Sequence, residues 1–209
     1  MATRKTEIEK RLEKGSEVIH TIRLNRGTII ELASDIENDL SDIITWCFYP
    51  GKYNVKLTPQ ERLTKNGIIF KSIIINKLDF RDKIEILKDV ILNKKPDIYN
   101  NYSHLIKKIT SNLNKVREFR NLMAHASSDL SDKFLKSINL NTYKRSQEFQ
   151  ILEYKKGKLI KHKFSQNEIE SKRWMMISTM LGLWQLFALI NKDYESFTEW
   201  KEISDKIPS

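Results

Sequence analysis

His125 follows Asn121, and Asn121 follows Arg117, at steps of four, with Arg120 beside them in the run Val116-Arg117-Glu118-Phe119-Arg120-Asn121-Leu122-Met123-Ala124-His125-Ala126. An imidazole takes or gives a proton near neutral pH, a guanidinium offers a planar fork to a small anion, and a carboxamide can orient either. These are the groups of general acid–base chemistry at an anionic centre. At 100° per residue, Arg117, Asn121 and His125 form a polar line along one side of a helix, and Arg120 lies about 140° from His125. A long arginine, or a helix ending near His125, lets the two converge on one anion. Val116, Phe119, Met123 and Ala126 gather into a separate arc with Leu122 at its margin, which predicts an amphipathic helix packing that arc into a core.

The order Arg120-Asn121-Leu122-Met123-Ala124-His125, an arginine, a polar residue and then a histidine closing the helix, resembles the signature of the HEPN superfamily (higher eukaryotes and prokaryotes nucleotide-binding domains). The upstream run Leu78-Asp79-Phe80-Arg81-Asp82-Lys83-Ile84-Glu85-Ile86-Leu87 looks like the helix entry that precedes this signature, and the resemblance covers roughly residues 60 to 190. It implies an HEPN-like antiparallel helical bundle and a metal-independent endoribonuclease of a toxin–antitoxin or antiviral defence setting. Arginines and histidines from two protomers would meet across a homodimer interface. RNA is then the partner, with an antitoxin or defence-system protein beside it, and no cofactor is needed. The family also contains members that no longer cut. The alternative is therefore a non-catalytic dimeric module that binds RNA, nucleotide or a regulatory protein.

RNA cleavage without metal requires a base for the 2′-hydroxyl, an acid for the leaving 5′-oxygen and positive charge where the phosphorane forms. On the resemblance, His125 is the base or, from a second protomer, the acid. Arg120 grips the non-bridging oxygens, and Asn121 orients the phosphate or the imidazole. Products then carry a 2′,3′-cyclic phosphate and a 5′-hydroxyl, and DNA is inert. Arg117 and Lys115 suit phosphate steering or a surface role. His20, His104 and His162 lack matched partners, and no Gly-rich phosphate loop, serine nucleophile elbow or metal-spaced His/Cys set is present.

The 209 residues, 40% hydrophobic, suffice for one sizeable core, and no Pro/Gly/Ser-rich linker divides them, so a single domain over 1–209 is expected. Only six glycines and four prolines point to a mostly helical chain. The single cysteine, Cys47, cannot form an intrachain disulfide and reads as a packing residue in a reducing compartment. The charged N-terminus lacks a signal-type apolar run, and the apolar stretch from Trp174 to Ile190 is interrupted by Ser178, Thr179 and Gln185. That stretch falls short of a comfortable membrane span, so a soluble, cytoplasmic protein is expected. The net charge of +10 makes a polyanion the leading partner, with a lysine-rich solvated surface as the plainer reading. The excess is uneven: 18 basic against 15 acidic residues in 1–100, and 19 against 12 in 101–209.

Several elements must position the polar line. Residues 5 to 24 form a charged helix, and 1–27 could act as a docking arm. Thr28 and Glu31 fit a capping box opening a second helix to about Phe48, or the two are one helix through Gly27. Glu31, Asp35, Asp39 and Asp42 make an acidic line on this segment, read as a solvated face or one that pairs with basic groups. Thr58-Pro59-Gln60-Glu61 opens a buried helix through Ile68, Ile69, Ile73, Ile74 and Ile75 to Leu78. Asp79 caps a further helix with Arg81, Lys83 and Lys88 outward, and Lys94-Lys95-Pro96-Asp97 is a loop. Residues 148–164 form a β-hairpin turning at Lys155-Lys156-Gly157, with Lys155, Lys156, Lys158, Lys161 and Lys163 as RNA-backbone contacts or as guards of a solvated edge. Ser165 and Glu168 then open the last long helix, and 193–209 is a tail with one small element.

Overall fold

The computed structural model describes residues 6–54, 59–139, 143 and 148–207. Local rules place most helix starts. Thr6 and Glu9 bond each other's backbone N–H at 3.2 and 2.6 Å and open α1, Glu7–Phe48. Two short helices follow, α2 (Pro59–Arg62) and α3 (Lys65–Ile73), the second capped by Thr64, whose hydroxyl accepts from Gly67 N. A 3₁₀ turn over Ile75–Lys77 leads to α4 (Phe80–Lys94), where the Asp79 carboxylate accepts from Asp82 N at 2.8 Å. After α4 come α5 (Pro96–Asn101) and α6 (Ser103–His125). The chain then forms β1 (Ser127–Ser128), α7 (Asp132–Ser137), β2 (Phe149–Lys155) and β3 (Lys158–Phe164). Ser165 and Glu168 make the expected capping box for α8 (Gln166–Ile190), and Asp193 caps α9 (Tyr194–Asp205). The chain is mainly α-helical with one small antiparallel sheet, strand order β1-β2-β3.

Two compact units emerge, the described residues within Met1–Glu31 and Arg120–Arg173, and those within Leu32–Phe119 and Trp174–Ser209. The first contains the sheet. Its buried residues include Val18, Ile22 and Ile29 of α1, Met123 of α6, Phe149 and Ile151 of β2, and Phe164 of β3. Phe149 pairs with Phe164 across the ladder, rings 5.5 Å apart. The second unit is a helical bundle whose buried apolar residues include Ile36, Leu40 and Ile44 of α1, Ile84, Leu87 and Ile91 of α4, Ile109 and Leu113 of α6, and Leu183 and Leu186 of α8.

Several sequence expectations change. Of the two readings of the N-terminal segment the continuous one holds: α1 runs unbroken through Gly27, so no helix begins at Thr28, whose hydroxyl instead donates back to Leu24 O at 3.1 Å. The residues that read as punctuation are tertiary anchors: Asn25 accepts from Arg173 Nη2 at 3.1 Å, and Arg26 donates to the Ala126 carbonyl. The helix expected from Thr58 to Leu78 is broken in two at Leu63–Thr64, and Thr58 itself lies outside the described residues, as do residues 1–5 of the docking arm. Gly51 lets the chain pass close to the end of α2, since any Cβ there would stand 1.9 Å from the Arg62 carbonyl oxygen. The isoleucine run after the break is not buried. Ile69 is 51% and Ile73 61% exposed, while Ile75 alone of the run is fully inside. Lys83, expected outward, is buried against Glu37 with Nζ–Oε1 at 2.6 Å. The expected loop at Lys94–Asp97 is mostly taken up by helix, because Pro96 opens α5 at its first position. Finally, α8 at 25 residues is long and apolar enough to cross a membrane by length and composition, and 56% of its most apolar window is buried in the fold.

Two glycines give opposite expectations. Gly27 has open space around its Cβ position, so Gly27→Ala should raise stability by about 0.5–1 kcal/mol through helix propensity. A Cβ at Gly182 would sit 2.9 Å from Ile109 Cγ1, so Gly182→Val should cost about 1–3 kcal/mol. Urea or thermal melts of both variants test the pair, and a stabilising Gly182→Val would contradict the packing of α6 on α8.

Candidate functional site at the end of the sixth helix

The amphipathic arc is where the sequence put it: Val116, Phe119, Met123 and Ala126 are buried, Leu122 is half-buried, and Asn121 and His125 are exposed. His125 is the last residue of α6, where a carbonyl-rich helix end favours a positive neighbour. Ala126 N closes the last turn onto Leu122 O at 3.0 Å, and the chain goes directly into β1, where Ser127 and Ser128 pair with Leu152 and Ile151. A two-serine strand carries no apolar alternation, so the sequence alone indicates only a two-stranded hairpin. The guanidinium of Arg26 secures the same helix end by donating to the Ala126 carbonyl, and burial lowers its pKa from the usual arginine value. Arginine remains charged in this setting, so the bond is charge-assisted.

The consequence is a cleft of about 340 Å³ beside the helix end, lined by Asn121 and His125 of α6, Leu152, Glu153 and Tyr154 of β2, and Leu159 of β3. Among the described residues, neither Asn121 nor His125 has a hydrogen-bond or ionic partner through its side chain. Both are exposed donors and acceptors at the rim of a concavity. Tyr154 and Leu159, opposite each other in the ladder, are 76% and 64% exposed and give the cleft an apolar, partly aromatic edge. Glu153 also lines it, and its carboxylate meets His162 Nε2 at 3.0 Å. His162 thus has a partner that the sequence did not reveal, because Glu153 and His162 meet only through strand register.

Arg120 does not join this group. It is half-buried, does not line the cleft, and has no side-chain partner among the described residues. The reason is local: α6 stays regular to His125, so the angular separation of Arg120 and His125 is not relieved by a bend. Arg117 and Lys115 belong to the second unit, where Arg117 lies 3.9 Å from its neighbour Glu118 and Lys115 is exposed.

The lysines of the hairpin divide into two sets. Lys161 is paired with the buried Asp129 at 2.8 Å and Lys163 with Glu148 at 2.8 Å, so both charges are largely neutralised within the unit. Lys155, Lys156 and Lys158 cluster at the exposed turn without a partner among the described residues. Lys156 and Gly157, at φ 50° and 74°, form the two-residue turn with both centres left-handed, the geometry that matches strand twist. Burial pushes the Cys47 thiol up to about 11, with Lys95 and Lys94 pulling the other way, which disfavours the thiolate and accords with a packing residue. Among the described residues, no group of three His, Cys, Asp or Glu side chains is placed to hold a metal ion.

Comparison with known proteins finds no matching family model, no similar curated protein and no matching solved structure. The HEPN resemblance accordingly rests on the order Arg120 to His125, with the upstream run Leu78 to Leu87 and the downstream basic hairpin and long apolar helix as its context.

Asp129 is the buried hinge between the helix end and the hairpin. Its N–H donates to Gln150 O at 3.0 Å, and its carboxylate accepts from Ser131 N at 3.0 Å. Burial raises its pKa, but Lys161 and Ser131 together outweigh burial and leave the carboxyl below its ordinary range. A depressed carboxyl contributes stability that is present above the unfolded value of about 3.9 and is lost as pH falls through the folded value. Asp129→Asn should therefore flatten the acid limb of the stability curve below about pH 4, which denaturant melts from pH 7 downward would detect. An unchanged acid limb would remove Asp129 from that role.

Proposed function

We propose that the chain is an endoribonuclease that cleaves RNA by 2′-hydroxyl attack, in a toxin–antitoxin or antiviral defence setting, and that it works in the cytoplasm as a homodimer. The observation that supports this reading best is the pair of unpartnered polar side chains, Asn121 and His125, at the rim of the cleft closing α6. A histidine free of internal bonds can approach a 2′-hydroxyl, and Asn121 one turn earlier can hold a non-bridging oxygen. Tyr154 offers a ring on which a base can stack. The partner-free lysines at the Lys156–Gly157 turn supply positive charge for the backbone.

The separation of Arg120 from His125 on α6 fits a site completed by a second copy, with the arginine of one protomer reaching the imidazole of the other. Fixed positive charge at the phosphorane is then contributed across the interface. The chemistry asks for no metal, and EDTA should leave it intact.

Two observations favour the alternative, a non-catalytic dimeric module that binds RNA, nucleotide or a regulatory protein. Glu153 puts a carboxylate in the cleft, and Lys161 and Lys163 are already paired, which weakens the local attraction for a phosphate.

Labelled single-stranded and structured RNAs, incubated with the full chain in EDTA, separate the two readings. The expected products end in 2′,3′-cyclic phosphate and 5′-hydroxyl. His125→Ala and Arg120→Ala should each lower the rate by about 10²–10⁴-fold, and both should relieve growth arrest on expression. Folded variants that cut like the parent would overturn the assignment, and a parent that binds RNA without cutting it would leave the binding module.

A further inference from the structure

The second unit contains a cavity of about 370 Å³ that the proposed ribonuclease does not use. Asp39 and Asp42 of α1, Trp184 and Phe187 of α8, and Glu199 and Trp200 of α9 line it. Its walls are aromatic. Trp184 and Trp200 meet edge to face with centroids 4.8 Å apart, and Phe187 lies 5.8 Å from Tyr53, which closes another side. The frame is well tied: Tyr53 Oη donates to Asp193 at 2.7 Å, Asp193 caps α9, and Gln185 Nε2 donates to the Trp200 carbonyl at 3.2 Å.

The three carboxylates differ in what they have left to offer. Asp42 is engaged by Lys71, Nζ–Oδ1 2.5 Å. Asp39 accepts from Trp184 Nε1 through Oδ2 at 3.0 Å, and its Oδ1 takes no hydrogen bond among the described residues. Glu199 has no partner among the described residues and is exposed at the rim. The positive group, Arg62, lies 5.8 and 5.5 Å over the Tyr53 and Phe187 rings.

We propose that this cavity binds a small aliphatic di- or polyamine, one ammonium held between Asp39 Oδ1 and Glu199 and the methylene chain lying along Trp184 and Trp200. Each part of the cavity selects for that chemistry. Ammonium carries three donors and no acceptor, matching two carboxylates with open lone pairs. Indole faces attract cations and cover methylenes. An anion would meet the open carboxylates of Asp39 and Glu199, and a neutral aromatic would desolvate Asp39 without pairing it. A quaternary ammonium has no N–H to donate. The volume lies within the usual range for small-molecule sites, about 300–1,000 Å³.

Ionisation of Asp39 gives the site a pH signature. Burial pushes this carboxyl up to about 6, the Trp184 hydrogen bond lowers it, Asp42 and Asp35 raise it, and Lys71 lowers it. Arg62 and Glu199 are the other charged groups lining the cavity. A bound cation favours the ionised form, so the amine should bind more weakly as pH falls below about 6.

The test titrates putrescine and spermidine into the full chain, following tryptophan fluorescence and heat. Saturable one-site binding is expected, weakened about tenfold or more by Asp39→Asn and less by Glu199→Gln, with choline and adenosine binding far more weakly. Thermal melts establish that Asp39→Asn is folded, and Glu199→Gln, at an exposed position, provides a second variant. No amine binding, or amine binding unchanged in both variants, or adenosine binding better than the amines, would each overturn the proposal. RNA cleavage plays no part in the readout, so this site and the cleft at His125 stand or fall separately.

Discussion

The first unit depends on how one helix is made to stop. Helix ends leave carbonyls without partners, and the last turn of α6 has no glycine to satisfy them through a left-handed cap. A guanidinium from α1 does this instead: Arg26 takes the Ala126 carbonyl, and Asn25 beside it takes Arg173. With the helix ended at that residue, the next two enter the sheet beside Leu152 and Ile151. The position of His125 against β2 follows directly. Had α6 continued for another turn, His125 would lie mid-helix with no strand beside it.

The same economy governs the polar residues around that point. Asp129 is buried because it serves three partners at once, the Gln150 carbonyl through its N–H and Ser131 and Lys161 through its carboxylate. A buried charge is tolerated when it is paired and hydrogen-bonded, and it then fixes geometry strongly because its alternatives are costly. Lys161 is consumed in the process. A sequence count of hairpin lysines therefore overstates the positive field at the cleft, and the turn residues Lys155, Lys156 and Lys158 carry what remains.

In the second unit the acidic line of α1 divides between the two roles its spacing suggested and a third: Asp35 stays exposed and Asp42 pairs with a lysine, while Asp39 does neither. Asp42 holds Lys71 and Asp39 turns to an indole N–H, while Glu37, outside that line, holds the buried Lys83. These carboxylates act as connectors between helices and as lining of a cavity. Helical spacing shows that acidic residues share a face. It does not show what another element, far away in sequence, places against that face. The isoleucines of α3 illustrate the converse, since an apolar run that reads as core lies largely at the surface, and its composition does not show whether another element covers it.

Features that depend on neighbours within a few residues were legible in the chain alone. The arc Val116, Phe119, Met123 and Ala126, the Asp79 and Ser165 caps, the Lys156–Gly157 turn and the mainly helical class all follow from periodicity, cap chemistry and backbone preference, which act over one or two turns. Long-range packing was needed to show that α1 passes through Gly27, that β1 exists, that Glu153 finds His162, and that Asp39 faces Trp184 across 145 positions of chain. Each of these turns on a polar group finding a partner distant in sequence. The energy of such a bond depends on exclusion of water by the surrounding fold, a quantity that no local pattern contains.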